Sequence, residues 1–119
     1  MKDFRELIVW QRAHQVVLKV YKVTKSFPKK EMFGLTSQMR RAGISVAANI
    51  AEGCGRKTDA DLRRFLVIAF GSGNELEYPL LLSHDLGILR DSDYSSISNE
   101  LTEVKKMLNS FIRKLTASS

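Results

Sequence analysis

Side chains suited to covalent or metal chemistry are few in this chain and far apart in the sequence. There is one cysteine, Cys54, and the two histidines are His14 and His84. A nucleophile needs a base within hydrogen-bond reach, and a structural zinc site needs about four ligands at motif spacing. Neither histidine is placed near Cys54 by the sequence. We therefore predict no catalytic residue, no metal site and no cofactor, and a protein that is not an enzyme.

Two glycine-containing segments resemble active-site motifs only superficially. GCGR, at 53–56, lacks the lysine and hydroxyl of a P-loop and follows a predicted helix. GSGNE, at 71–75, lacks the G-x-S-x-G spacing of a nucleophile elbow. We interpret GCGR as a helix stop in which Gly53 and Gly55 supply the left-handed conformation that commonly closes a helix.

Positive charge is the strongest chemical signal, and it is concentrated in the first half of the chain. Residues 1–57 hold 12 Lys and Arg against 4 Asp and Glu (+8), whereas residues 58–119 hold 7 against 9 (−2), within a net charge of +6. Such a balance favours RNA or DNA as a partner, bound by charge and shape because no sequence-reading module is present. The candidate contacts are Lys29, Lys30, Arg40, Arg56, Lys57, Arg63 and Arg64, within a wider basic set that adds Arg12, Lys19, Lys22 and Lys25.

A polar set interrupts the alanine-rich segment QMRRAGISVAANIAEGCGR. At about 100° per residue its members fall in an arc of about 80° beside the apolar stripe, where helices meet or a second subunit docks. We expect an Arg41–Glu75 ion pair within an internal network; the alternative is a groove that contacts a ligand or nucleic acid. Arg40 lies across the apolar stripe, so Arg41→Ala is expected to destabilise the fold or assembly more than Arg40→Ala. The set comprises Gln38, Arg41, Ser45, Asn49, Glu52 and, from the next helix, Glu75.

Apolar residues recur at spacings of three and four, which is the period of amphipathic helices. No segment shows the period-two alternation of half-buried strands, and short connections favour antiparallel neighbours. We therefore predict an all-α fold, an up-down-up-down antiparallel four-helix bundle formed by the single domain 1–119. The predicted helices span about 4–25, 33–53, 59–87 and 93–116.

Three local signals refine these helices. Thr58 with Asp61 has the spacing of a capping box and places the start of the third helix, and Asp3 with Glu6 does the same for the first. Pro79 lies inside the third helix. Because proline removes a backbone hydrogen bond and clashes with the preceding turn, we predict a kink or a split there.

Five motifs, in order over about two thirds of the chain, carry a resemblance to a known family. They are similar to motifs of the four-helix-bundle family called 23S rRNA-intervening-sequence proteins, or S23. The resemblance implies the bundle fold and a ring-shaped homopentamer, whereas most members have no established activity. The fold also resembles the accessory variability determinants of diversity-generating retroelements, basic pentamers that bind a reverse transcriptase and nucleic acid. The motifs are F-x-x-L-x-V-W-Q-x-A at 4–13, F-P-x-x-E at 27–31, G-L-x-x-Q-x-R-R-A at 34–42, N-I-A-E-G-x-G-R at 49–56 and G-S-x-x-E-L at 71–76.

Charge and resemblance together leave two functional hypotheses open. The first is a non-enzymatic homo-oligomer that binds RNA or DNA through a basic surface with little sequence preference. The second is a protein-interaction adaptor, such as an accessory subunit of a reverse transcriptase. No apolar run approaches the roughly 18 to 20 residues of a membrane span, so we expect no membrane partner and a cytoplasmic location.

Overall fold

A computed structural model describes residues 3–118, with the side chains of residues 3–116. This part of the chain is helical and contains no strand, which confirms the predicted all-α four-helix bundle. Short turns precede the first two long helices. In chain order the long helices are α1 (Ile8–Thr24), α2 (Ser37–Cys54), α3 (Asp59–Asp85) and α4 (Asp91–Ser118).

The four helices are arranged in a ring of neighbours. Each helix packs against the next one in the chain, and α4 packs against α1. The short connections reverse the chain direction, so α1 and α3 occupy opposite corners of a bundle that measures 46 × 21 × 20 Å. The α1–α2 and α3–α4 connections therefore lie at one end of the bundle, and the α2–α3 connection lies at the other.

The core is formed by the apolar stripes that the three-and-four spacing marks. Met39 and Ile50 of α2 and Leu66 and Leu76 of α3 are completely buried. Removing such side chains from water supplies about 1.5 to 3 kcal/mol for each large apolar residue. Because α2 and α3 share the most extensive contact in the bundle, their facing surfaces are fixed most firmly.

The first helix starts later than predicted. Phe4–Glu6 forms a separate 3-10 turn, in which Asp3 Oδ1 accepts a hydrogen bond from the Arg5 amide at 3.0 Å. Leu7 is extended, with φ −77° and ψ 126°, so α1 begins at Ile8. Asp3 is a capping residue as expected, but the helix it caps is the short turn.

The caps of α2 and α3 give one confirmation and one correction. Thr58 Oγ1 accepts a hydrogen bond from the Asp61 amide at 3.1 Å, which confirms the predicted start of α3. The predicted left-handed glycines at the end of α2 are wrong, because Gly53 lies inside the helix and Gly55 has φ −85°. Among residues 3–118 the positive φ belongs to Gly87, at 75°, just after α3.

Helix α3 continues through Pro79 without a break, so the predicted alternative of a split helix is wrong. Pro79 has no amide hydrogen, which leaves the Glu75 carbonyl without its usual donor four residues later. The proline ring is buried in the bundle. Packing of α3 against α2 on one side and α4 on the other holds the helix together across this position.

Candidate nucleic-acid interface

The cations predicted to form a single basic surface lie at opposite ends of the bundle. Lys29 and Lys30 belong to a 3-10 turn in the α1–α2 connection. Arg56 and Lys57 lie in the α2–α3 connection, at the other end of a molecule 46 Å long. A single chain therefore presents two basic ends, and the electrostatic environment of each has to be considered separately.

At the α2–α3 end, the arginines are largely engaged within the chain. Arg56 forms an ion pair with Glu52 at 3.3 Å, and its guanidinium lies 4.7 Å from the centre of the Phe65 ring. Arg64 lies over the same ring at 4.6 Å. Arg63 Nε donates to Thr116 Oγ1 at 2.6 Å.

Two further members of the wider basic set also have partners inside the chain. Arg12 forms an ion pair with Glu100 at 2.9 Å and so joins α1 to α4. Their hydrogen bond lowers the pKa of the Glu100 carboxyl and raises the pKa of the Arg12 guanidinium. Lys19 Nζ donates to Ser96 Oγ at 2.9 Å. These side chains stabilise the α1–α4 contact and contribute less to an open basic surface.

The opposite end carries exposed lysines that form no ion pair with the described residues, and we call them the lysine cluster. Helix α1 contains no acidic residue, and the first carboxylate after Glu6 in the sequence is Glu31. Glu31 is half-buried and accepts a hydrogen bond from the Leu35 amide. Between Leu7 and Lys30 the chain therefore carries no negative charge. At the same end of the bundle the α3–α4 connection contributes the carboxylates of Asp85, Asp91 and Asp93. The lysine cluster comprises Lys22, Lys25, Lys29 and Lys30.

A polar cleft adjoins the lysine cluster between α1 and α4. Its volume is about 330 Å³. Lys22 of the lysine cluster lines this cleft together with Lys19 and Arg90, and Asp93 is the carboxylate present. Arg90 Nε lies 3.6 Å from Asp93 Oδ2, so one of the three cations is partly neutralised. The cleft extends the positive surface from the end of the bundle onto its side.

Phe33 is the residue that sequence reasoning missed. Its side chain is 93% exposed in a π-helical turn, Met32–Thr36, that joins the lysine-bearing connection to α2. Gly34, next in sequence, has φ −110° and ψ −109°, which interrupts regular helix geometry at this point. The sequence signal was an apolar pair, Met-Phe, between a lysine pair and a glycine. A regular helix that starts at Phe33, as predicted from the sequence, does not indicate an exposed ring in this turn.

Part of the polar set on α2 joins α2 to α3 as expected. The hydroxyls of Ser45 and Ser72 are hydrogen-bonded at 2.7 Å. Asn49 Nδ2 donates to the Ser45 carbonyl at 2.8 Å and to Ser45 Oγ at 3.1 Å. The partly buried Ser45–Ser72 bond links α2 to α3, whereas both Asn49 bonds lie within α2 and hold the Ser45 hydroxyl in place.

The expected ion pair between Arg41 and Glu75 does not form among the described residues. Both side chains are exposed, and both line a groove of about 560 Å³ between α2 and α3, together with Gln38 and Tyr78. The helical angle placed these groups correctly beside the apolar stripe. It does not determine whether the two charges meet, and among the described residues Arg41 and Glu75 form no ion pair.

Arg40 lies in a different environment from the one predicted for a nucleic-acid contact. Its Nε donates to Thr24 Oγ1 at 2.9 Å, and its guanidinium lies 4.5 Å from the centre of the Tyr21 ring. Thr24 is buried, and its hydroxyl donates in turn to the Val20 carbonyl at 2.7 Å. Arg40 therefore ties α2 to α1, which leaves its charge poorly placed for a phosphate.

These contacts reverse the expected effects of the two arginine substitutions on stability. Arg40→Ala is expected to lower the free energy of unfolding by about 1 to 2 kcal/mol, because it removes a hydrogen bond from a charged donor and a cation–π contact. Arg41→Ala is expected to change it by less than about 0.5 kcal/mol, as is usual for exposed side chains. Urea unfolding followed by circular dichroism measures both. A larger loss for Arg41→Ala would restore the original internal-network interpretation.

The residues considered for covalent chemistry remain apart from one another. Cys54 is buried, and this burial raises the pKa of its thiol, so the reactive thiolate is disfavoured. His14 stacks on Trp10 at 4.9 Å. His84 stacks on Tyr94 at 4.5 Å and contacts Asp91 at 2.6 Å. Among the described residues no cluster of three or more His, Cys, Asp or Glu could hold a metal ion.

Comparisons with known proteins give a consistent result. A family model described as 23S rRNA-intervening sequence protein matches residues 5–110. The crystal structure of a protein of unknown function from Bacteroides thetaiotaomicron VPI-5482, assigned to the S23 ribosomal protein family, is similar, with 30% sequence identity and a TM-score of 0.79. That match covers 88% of this chain and 98% of the other. A comparison with curated proteins finds no match. No helix in the described part of the chain is long and apolar enough to span a membrane.

Proposed function

The chain belongs to the 23S rRNA-intervening sequence protein family, and from that premise we propose a non-enzymatic homo-oligomer that binds single-stranded RNA or DNA. The observation that carries this proposal is the exposed lysine cluster together with the exposed ring of Phe33, which lies in the turn directly after Lys29 and Lys30. In the proposed complex, the lysines contact phosphates and the Phe33 ring stacks on a base.

Charge supplies the affinity in this proposal. Lysines that neutralise phosphates release condensed counterions, and for single strands each contact contributes about 0.7 to the slope of log affinity against log salt. The four clustered lysines lack ion-pair partners among the described residues, so a phosphate need not displace a carboxylate first. Arg56 would have to break its ion pair with Glu52 before it could contact a phosphate. For this reason we assign the binding surface to the lysine end.

An aromatic ring among cations favours unpaired bases over a duplex. Stacking of a base on an aromatic side chain contributes about 1 to 3 kcal/mol, and the base must be unstacked from its neighbours to reach the ring. Stacking tolerates any base, so this arrangement accounts for little sequence preference. The sequence contains none of the known motifs that recognise bases through hydrogen bonds to their edges. Recognition through the phosphate backbone of the nucleic acid and through stacking agrees with this.

Oligomerisation multiplies this surface. The number of subunits that the resemblance implies is five, and each copy adds one lysine cluster and one Phe33. A strand that contacts two or more copies binds the later ones intramolecularly, which raises the overall affinity without new kinds of contact. Weak binding by one copy is therefore compatible with useful binding by the assembly.

Phe33→Ala is expected to weaken binding of a labelled single strand by about tenfold, in line with the loss of one stacked base. Binding of the matching duplex is expected to change little, because its bases are not available to the ring. Fluorescence anisotropy at low salt measures both, with Ile8→Ala, an exposed apolar residue near the opposite end, as the matched control. If no strand binds even at about 20 mM salt, the proposal fails. The adaptor hypothesis then stands in its place.

A further inference from the structure

The polar cleft between α1 and α4, called the α1–α4 cleft below, carries more positive charge than one internal phosphate needs. Lys19 and Lys22 of α1 and Arg90 before α4 line it, and Asp93 is the carboxylate among its lining residues, so the balance is three positive charges against one negative. A phosphate inside a nucleic-acid strand is a diester with one negative charge. A phosphate at the end of a strand is a monoester, with about 1.5 to 2 negative charges at pH 7. The charge of the cleft therefore matches a terminal phosphate better than an internal one.

A hydroxyl and an ammonium group in the cleft have hydrogens left for a ligand. Lys19 Nζ donates to Ser96 Oγ at 2.9 Å, so the Ser96 hydroxyl accepts this bond and keeps its own hydrogen. Lys19 forms no ion pair with the described residues, and an ammonium group has two further hydrogens to donate. A monoester has three terminal oxygens that accept hydrogen bonds, whereas a diester has two unbridged oxygens. A terminal phosphate therefore uses these donors more fully.

The α1–α4 cleft is a recess and does not pass through the bundle. Ile97 of α4 lines it and is 1% exposed, because this residue belongs to the core. The half-buried Val23 of α1 also lines the cleft and packs against the core. The volume of about 330 Å³ lies near the lower end of the range for ligand pockets, about 300 to 1,000 Å³. This shape suits a single group that enters from solvent, such as the end of a strand.

The two sides of the α1–α4 cleft differ in charge. Lys22 belongs both to the cleft and to the lysine cluster, so the positive surface continues from the cleft toward Lys25. On the other side, Arg90 is followed directly by Asp91, whose side chain is 97% exposed, and Asp85 is also exposed. A strand that continued past the cleft in this direction would bring its phosphates toward these carboxylates. A strand that ends in the cleft avoids this repulsion.

We propose that the α1–α4 cleft binds the terminal phosphate monoester of a single strand whose following nucleotides lie on the lysine cluster. This inference rests on the proposed function and adds to it a preference for strands with a phosphate at one end. Lys19, Lys22 and Arg90 neutralise the phosphate. The Ser96 hydroxyl donates a hydrogen bond to one of its oxygens. A strand that ends in a hydroxyl lacks these contacts and binds through the lysine cluster alone.

Three strands of the same sequence and about ten nucleotides test this site. One carries a 5′ phosphate, one carries a 3′ phosphate and one has hydroxyls at both ends. A fluorophore on an internal base leaves both ends free. Fluorescence anisotropy at about 50 mM salt and about pH 7.5, where the terminal phosphate carries its second charge, is expected to show about tenfold tighter binding of a phosphate-ended strand than of the hydroxyl-ended strand. The comparison of the two phosphate-ended strands identifies the end that is bound.

Arg90→Gln separates the α1–α4 cleft from a general effect of the added charge. The Arg90 side chain is 86% exposed, so folding is retained, and circular dichroism checks it. In this variant the tenfold preference is expected to fall below about threefold, because one of the cations around the phosphate is lost. Arg113→Gln makes the same change of charge on exposed surface near the far end of α4. It is the matched control, in which we expect the preference to remain about tenfold.

The remaining outcomes overturn separate claims. Equal binding of the three strands overturns the terminal-phosphate site and leaves the proposed function standing. A preference that is fully retained in Arg90→Gln, or that falls equally in Arg113→Gln, overturns the α1–α4 cleft as its location. If none of the three strands binds, the proposed function fails, and the terminal-phosphate site fails with it.

Discussion

Replacing Lys22, Lys25, Lys29 and Lys30 together by alanine is expected to weaken single-strand binding at about 50 mM salt by about a thousandfold. Each lost phosphate contact removes the counterion release that it contributed, so the binding affinity falls by a similar factor for each lysine, and the four factors multiply. The substitutions are at exposed positions without ion pairs among the described residues, so the fold should be unaffected. Fluorescence anisotropy with a strand of about 20 nucleotides measures the change.

A matched control removes four other exposed cations. The combined alanine variant of Arg5, Lys57, Lys106 and Arg113 has the same change in net charge but spares the lysine cluster. We expect a loss of less than about fivefold, because charges more than a Debye length from the bound strand are largely screened. Equal losses in the two variants would show that net charge alone drives binding, contrary to the assignment of the surface.

Gly53→Val is expected to have the largest effect of a single substitution on stability, a loss of about 2 to 3 kcal/mol. Even a Cβ at this position would lie 3.0 Å from Leu62 Cδ1, 3.1 Å from Phe65 Cβ and 3.3 Å from the Leu62 carbonyl oxygen. The last two contacts are with atoms on or next to the α3 backbone, which cannot move aside freely. The helices would have to separate at their most extensive contact. Thermal unfolding should show a fall in Tm of about 10 °C.

Gly55→Val is the control for this substitution. Gly55 is exposed, and the nearest contact of an added Cβ is the Glu52 carbonyl oxygen at an ordinary 3.5 Å. Its φ of −85° is also accessible to valine. We expect a loss of less than about 1 kcal/mol. Similar losses at both positions would mean that helix termination, and not packing against α3, explains the glycine at 53.

The contrast between these glycines shows what the sequence could not provide. The four-helix bundle was predictable because the apolar period is local, as is the Thr58–Asp61 cap. A glycine near a helix end is equally expected for a left-handed turn or for close packing, and the sequence alone does not separate them. Gly87 is explained by the left-handed turn, and Gly53 is explained by close packing, since only the position of α3 makes a glycine at 53 necessary.

The two arginines illustrate the same limit for the candidate interface. Helical angle correctly placed Arg40 and Arg41 on different sides of α2. Which of them finds a partner depends on residues far away in the sequence. Thr24 and Tyr21 of α1 contact Arg40, whereas Arg41 and Glu75 line the same groove without an ion pair among the described residues. Phe33 was missed for a related reason, because the turn that exposes it departs from the regular period on which the prediction was based.

Binding of nucleic acid through phosphate contacts at the lysine end is tested most directly by a salt titration of the wild-type protein. Affinity for a labelled single strand is measured from about 20 to 200 mM salt, and log affinity is plotted against log salt. Four contacts from one copy predict a slope of about −3, steeper if several copies engage the strand. Binding that is undetectable at the lowest salt, or whose affinity does not fall as salt rises, would contradict the account.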